Sequence, residues 1–394
     1  MTHYLKHSLI LVVMPTFAIL ATVVPMWGLA GALALVAYQI AVDVATPREL
    51  AVPEYRHPWL INAVPYVHIP TSAFALLMLA WMAAPGDLLG IGQLLDGLGL
   101  DSLLGASLAT RSEPAGWGSL VAAAVTLGFV MSTNTIAAHE LVHRTASPFA
   151  VWLGRWILAT VGDAQYSITH VYVHHLHVGT PHDPSTAKRG ENLYAFALRS
   201  VRGQYRDAWQ IEMRRLRERP WLLRALTNKV TTGVAMSGLI ALAFYAAAGW
   251  RGVAAFAMVA ATSKFLLEAV EYIQHYGLVR TPGGKIESHH SWECSSRAAS
   301  HIMYNLPRHA HHHLDARLPY SALKPTAEAP DLPYGYVAHI LLSMAPPLWR
   351  RFAAPRLARW DAELASPAER ELAQQANRDS RLPSYAALAP AERP

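Results

Sequence analysis

Apolar and polar positions alternate along this chain in long blocks, and six of the apolar blocks are long enough to cross a bilayer as helix: 8–25, 27–46, 60–84, 116–138, 230–249 and 252–273. A helix needs roughly 20 apolar residues to span a hydrocarbon core. The first two blocks read as a hairpin turned near Pro25. The first has no small-residue cleavage site and runs directly into the second, so it is expected to be retained as a span and not removed as a signal peptide. Two further apolar runs fall short. Residues 149–168 carry Arg155 and Asp163, and 335–353 is interrupted by Pro346 and Pro347, so both are expected to lie at the membrane interface. The stretch 360–394 reads as a surface helix with a Pro-bearing, loosely ordered end.

The predicted fold is therefore all-α: a polytopic membrane protein of about six spans with a cytoplasmic helical cap. Its expected parts are four spans in 1–138, a polar cap segment 139–229, two spans in 230–273 and a polar C-terminal region 274–394. Six spans put both termini, the loop 46–59 and the two large polar segments on one side. Those two segments carry 13 and 14 Lys+Arg, whereas the opposite loop 85–115 has Arg111 against Asp87, Asp96, Asp101 and Glu113. The positive-inside rule assigns the basic side to the cytoplasm, in a bacterial-type inner or plasma membrane.

Composition supports this picture: 53% of the 394 residues are hydrophobic and 15% charged, against roughly a quarter charged in soluble domains. The net charge of +6 is confined to the polar segments, a topological pattern and not a nucleic-acid surface. With Cys294 as its single cysteine the chain cannot form an internal disulfide, a thiolate zinc site or a built-in iron–sulfur centre. Any electrons it uses must come from another protein.

The chemistry-bearing residues are histidines, grouped as HELVHR (139–144), HVYVHH (170–175), EYIQHYG (271–277) and RHAHHH (308–313). Within His139/His143, His170/His174/His175 and His309/His312/His313 the spacings of three, four or five residues suit projection from one helix face. With His275 they make nine candidate ligands, too many for one ion of four to six sites and suited to two. Isolated histidines such as His3, His7, His57, His68 and His339 read instead as hydrogen-bonded interface residues. Burying nine imidazoles without a cation would leave polar groups unpaired at roughly 1–3 kcal/mol each. Imidazole suits Zn, Cu, Fe and Ni alike, so ligand type leaves the metal open. HELVH also fits the zinc-protease pattern H-E-x-x-H, but such a site needs only one more protein ligand and leaves the other boxes without a role. A metal carrier tends to place ligands within the spans or in flexible loops, and here the middles of the six spans are almost free of ionisable groups.

At these boxes the chain resembles the membrane alkane 1-monooxygenase and xylene monooxygenase family, which is related to the membrane fatty-acid desaturases and hydroxylases. The family's H-E-L-x-H-[KR] stands at His139 to Arg144, its H-x-x-x-H-H at His170, His174 and His175, and its H-Y-G-L at His275, Tyr276, Gly277 and Leu278. Its H-x-x-H-H stands at His309, His312 and His313, and its H-[SA]-W at His290, Ser291 and Trp292. The likeness runs over nearly the whole chain. The segments GTPHDP (179–184), RGENLYAF (189–196), QHYGLVR (274–280), PPLW (346–349) and RWDAELASPAERELAQQAN (359–377) are closer to the xylene branch, whereas Arg308 before His309 matches the alkane branch.

The resemblance implies a non-haem di-iron centre that uses O2 to hydroxylate a methyl group of an alkane or alkyl-aromatic substrate, the second oxygen atom leaving as water. A rubredoxin or 2Fe-2S ferredoxin with its reductase would supply electrons, and the Arg-rich segment 199–224 is a candidate docking face. A desaturase activity is the neighbouring alternative. Glu140 and Asp183 are the leading candidates to orient ligand imidazoles from behind, followed by Glu271 and Asp315.

Overall fold

The computed structural model describes residues 2–386; the Pro-bearing end, 387–394, lies outside the described residues, as does the side chain of His3. Among the described residues there are helices and one isolated bridge between Glu293 and Asp331, and no β-strand. The helices that matter here are α1 (Tyr4–Val23), α2 (Pro25–Ala45), α3 (Pro58–Ala83), α4 (Trp117–His143), α5 (Pro148–Ala159), α6 (166–177) and α7 (Leu193–Arg215). They continue with α8 (Lys229–His275), α9 (Arg297–Ile302), α10 (His309–Leu314), α11 (Tyr336–Ser343), α12 (Pro346–Glu363) and α13 (Pro367–Asp379).

Five helices are long and apolar enough to cross a membrane: α1, α2, α3, α4 and α8. This is an integral membrane protein. Helix α4 is the central one, with 78% of its most apolar stretch buried, and it packs against α1, α2 and α8. Helix α8 has 47 residues, which as a straight rod would measure about 70 Å against a hydrocarbon core of about 30 Å. It does not run straight. Ala248 (φ −143°) and Gly249 (φ 58°) leave helical geometry, and the rings of Phe244 and Phe256 stack at 5.6 Å, although twelve residues of straight helix cover about 18 Å. The chain folds back here, and Gly252 sits so close to the Phe244 carbonyl that a Cβ at this position could not be accommodated. The two arms, 229–247 and 250–275, are each long enough to span.

Helix α5 has 12 residues, about 18 Å and too short to cross. It starts at Pro148 with the Ser147 side chain as N-cap and lies along α4. The predicted run 335–353 is two helices, because Pro346 opens α12 as a first-turn proline. Helix α13 differs from a free surface helix. Its Asn377 accepts from Arg189, which also forms a bidentate pair with Asp361 of α12 (2.6 and 2.8 Å). Beside it Tyr385 bonds Tyr276 at 2.8 Å. Buried donors in the cap recruited this amphipathic helix as a wall.

Candidate metal centre

Four segments bring the nine histidines together at the end of the helical bundle. Helix α4 ends in His139 and His143, α6 carries His170, His174 and His175, α8 ends in His275, and α10 carries His309, His312 and His313. Their side chains fall into two groups, one of five (His139, His143, His170, His175, His312) and one of four (His174, His275, His309, His313), with ligand atoms in each group within 4.8 Å of one another.

Helical spacing explains only part of this division. His139/His143 and His309/His313 are i,i+4 pairs that serve one group each, but His170 and His174, also i,i+4, are split. The cause is local: 170–174 form a π-helical turn, in which i and i+5 share a face, so His170 and His175 meet with their Nε2 atoms 3.1 Å apart. On a regular α-helix the pair would point about 140° apart. His174 then turns to the other group. The expectation that each box projects from one face is corrected here, and again on α10, where His312 joins the group of five while His309 and His313 join the group of four.

Within the groups, His175 Nε2 lies 3.1 Å from His170 Nε2 and 3.0 Å from His312 Nε2, while His309 Nε2 lies 3.0 Å from both His275 Nε2 and His313 Nε2. Ligands about 2.1 Å from a common ion lie about 3.0 Å apart at right angles and about 3.4 Å apart in a tetrahedron. The observed spacing suits coordination numbers above four. His139 Nε2 and His143 Nε2 are buried without any partner, which leaves their lone pairs for a cation. Burial first, and the neighbouring imidazoles second, hold His170, His175, His309, His312 and His313 well below the ordinary histidine pKa, so they are neutral donors. The donor set fits two metal ions.

Carboxylates and carbonyls behind the rings fix which nitrogen faces inward. His174 Nδ1 donates to Asp183 Oδ2 at 2.9 Å, and Asp183 in turn accepts from Thr186 Oγ1 (2.6 Å) and the Ser185 amide (3.0 Å). Burial alone would raise the Asp183 carboxyl, but the His174 and Thr186 contacts outweigh it and hold it below its ordinary value. His275 Nδ1 donates to the His290 carbonyl at 3.2 Å. In both cases Nε2 is left for the ion.

Glu140 does something else. Its Oε1 accepts from Arg144 (3.0 and 3.3 Å) and its Oε2 from the Tyr320 amide (3.1 Å), so it ties α4 to the loop after α10 and bonds no imidazole. Both oxygens being engaged, it is also badly placed as the water-activating glutamate of a zinc protease. Asp315 is half-exposed and pairs with Arg317. Glu271 is buried with its Oε2 on Gln204 Nε2 (3.0 Å), beside a cluster of Glu268, Lys264 and Asp163. Of the isolated histidines, His68 is satisfied at both nitrogens by Asn134 and Tyr304.

The residue that spacing did not single out as a support is His290. Its Nδ1 accepts from the Glu287 amide and its Nε2 donates to Glu369 Oε1 at 2.6 Å, so α13 braces the carbonyl that orients His275. The H-S-W motif was the available signal. His289, His290 and Glu369 cluster closely enough to resemble a third metal site, but both His290 nitrogens are engaged in these bonds. Burial pushes the Glu369 carboxyl up, yet bonds from Ser366 and His290 overcome it and bring it from 4.5 down to about 2. A carboxylate depressed on folding contributes stability that is complete above its unfolded value and is lost as pH falls through the folded one. Thermal midpoints of Glu369→Gln and the parent chain should therefore differ most above pH 4.5 and converge toward about 2.

A cavity of about 760 Å3 runs from the histidines into the bundle, within the range of about 300–1,000 Å3 usual for ligand pockets. His139, His170 and His309 border one end; Leu29, Val36, Val125 and Phe129 are among its walls. Leu33 and Tyr38 on α2, each 63% exposed, also border it, so it opens sideways on a surface that faces lipid. Glu271 Oε1 has no partner, and Glu271 borders this cavity.

Comparison with known proteins gives the family. A sequence profile of the fatty acid desaturase family matches residues 115–343, which include all nine histidines. The chain belongs to the fatty acid desaturase family. Within that family it is similar to alkane 1-monooxygenase 1 of Pseudomonas aeruginosa, 33% identical over 248 residues that cover 61% of this chain and 65% of the relative. It is also similar to the xylene/toluene monooxygenase hydroxylase component XylM of Pseudomonas putida, 34% identical over 257 residues (63% and 67%). The alkane 1-monooxygenase of Ectopseudomonas oleovorans is 27% identical over 335 residues (84% and 77%). The match thus spans just under two thirds of the length of the P. aeruginosa enzyme. Family membership and the donor set together indicate a metal-dependent member.

Proposed function

We propose that this protein is an integral membrane monooxygenase that hydroxylates a terminal or benzylic methyl group of a hydrophobic molecule, with two iron ions held by the nine histidines. The observation that carries this reading is the pair of imidazole groups, five and four, at the inner end of an apolar cavity open toward lipid. Two bound irons would supply the redox chemistry that activates O2, which zinc cannot do.

The chain's own residues do the rest. His139, His143, His170, His175 and His312 would hold one ion and His174, His275, His309 and His313 the other, with Asp183 and the His290 carbonyl fixing Nε2 toward them. The walls from α2 and α4 exclude water and guide a molecule that enters from the bilayer with its methyl end toward His139 and His170. Both arms of α8 are read as spans, giving six, and the basic character of segments 139–229 and 274–394 supports a cytoplasmic position for the centre. Electrons come from a separate carrier of rubredoxin or ferredoxin type, since Cys294 stands alone and buried.

The decisive experiment is turnover of the iron-loaded protein with a chemical or protein reductant, 18O2 and either an n-alkane or an alkyl-aromatic. An alcohol carrying one 18O atom is expected, and an alkene would move the protein to the desaturase reading; metal analysis of the protein as purified that found a single zinc and no iron would remove both. A bulky side chain in the cavity gives a second prediction. Ala32, buried on α2, borders the cavity, and Ala32→Trp should lower turnover of a long substrate about ten-fold or more, as expected for a contact-specific loss. Iron content should stay unchanged.

A further inference from the structure

A second pocket, of about 340 Å3, lies on the outside of the bundle at the level where α4 ends and α5 and α8 begin. Val142, Thr145, Trp152, Tyr172, Arg155 and Lys229 are among the residues that border it. Two helices begin beside it, at Pro148 and at Lys229; their first N–H groups are taken by Ser147, Asn228 and Glu212, so the helix dipoles add only positive potential and the donors must be side chains. Two cations line it as well. Arg155 is anchored through Nη2 to the Lys229 carbonyl (2.7 Å) and Thr232 Oγ1 (2.9 Å), which leaves its buried Nε–H without a partner. The Lys229 ammonium makes no hydrogen bond or ion pair among the described residues. The nearby acid, Glu212, is engaged by Arg215 (2.7 and 2.8 Å) and by the Lys229 amide (2.9 Å). Positive charge therefore exceeds negative around this pocket.

Its location decides what the charge is for. Phe149 and Trp152 on α5 project outward, 61% and 52% exposed, and Trp221 and Leu222 before α8 are 69% and 61% exposed. Exposed aromatics beside the start of an apolar helix mark the interfacial plane of a membrane. An anion-favouring pocket at that depth meets lipid headgroups before it meets any soluble anion. Basic pockets of this kind between spans suit acidic headgroups.

We infer that the Arg155/Lys229 pocket is a binding site for the phosphate headgroup of an anionic phospholipid, whose acyl chains would lie along the outer faces of α5 and the first arm of α8. Thr145 and Val142 adjoin His143, and Ser167, which also borders the pocket, precedes His170 by three residues. A headgroup seated here braces the elements that carry the first two histidine boxes.

The test uses the detergent-solubilised full chain, titrated with dioleoylphosphatidylglycerol, with dioleoylphosphatidylcholine and with inorganic phosphate, and read by native mass spectrometry and thermal midpoint. None of these readouts requires turnover, so the outcome is independent of the proposed hydroxylation. The anionic lipid should bind and stabilise in preference to the zwitterionic one. Lys229→Gln, which leaves the Arg155 bond to the Lys229 carbonyl in place, should weaken that lipid about five-fold, the effect of removing one cation worth about 1 kcal/mol. Arg217→Gln, an exposed charge away from the pocket, should not. Equal binding of the two lipids, or an undiminished preference in Lys229→Gln, overturns the site; stabilisation by phosphate alone to the same extent overturns a lipid as its ligand. Should Lys229→Gln fail to fold, the two-lipid comparison on the parent chain still decides.

Discussion

Replacing His309 by alanine should abolish turnover and cut bound iron from about two ions per chain to about one. His309 Nε2 is the shared contact of the four-histidine group, 3.0 Å from both His275 and His313, and the group has no spare imidazole. Losing a supporting bond behind a ligand typically costs 10–100-fold, so losing the ligand should cost at least about 100-fold. Iron analysis with Mössbauer spectroscopy checks this: one of two iron signals should disappear while the five-histidine site keeps its own. If two irons remain and turnover persists, the partition into five and four is wrong. A metal carrier would instead lose affinity gradually.

The second large effect concerns Asp183. Asp183→Ala removes the acceptor of the His174 Nδ1–H and, with it, the partner of Thr186 and Ser185. Without the carboxylate His174 can flip its tautomer or rotate, and the four-histidine site loses a correctly aimed Nε2. Turnover and iron affinity should each fall about 10–100-fold. Asp183→Asn, whose amide oxygen can still accept, should retain much more of both, and that graded series separates a ligand-orienting role from simple loss of packing. By contrast Glu140→Gln should act on stability through Arg144 and Tyr320 and leave the iron count at about two, measurable by the same metal analysis with a thermal midpoint alongside.

These predictions draw on different depths of the chain's information. The histidines are legible because a ligand must be one of a few residue types and because i,i+4 repetition survives in the linear text, as at His139/His143 and His309/His313. The supports are less legible. Asp183 lies nine residues after its partner His174 and could be proposed from proximity, but His290 acts through a backbone carbonyl, which leaves no mark in side-chain chemistry. Glu140 sits inside the first box and looks like an orienting residue, yet on α4 its carboxylate is drawn to Arg144, one turn on, and to the Tyr320 amide.

The membrane setting, the blocks able to span, the nine imidazoles and their family likeness can all be read from the linear chain. All of these depend on local composition and short spacing, which folding cannot alter. Tertiary structure alone decided the rest. The π turn at 170–174 brought His170 and His175 to one ion site and turned His174 to the other, and the tight fold-back at Ala248–Gly249 set the two arms that the separate apolar blocks had anticipated against each other. The packing of α1, α2, α4, α8 and α11 left a lipid-facing cavity that ends at the metal centre. Each depends on where backbone segments distant in sequence come to rest against one another, and that is set by the whole fold and not by any single stretch of it.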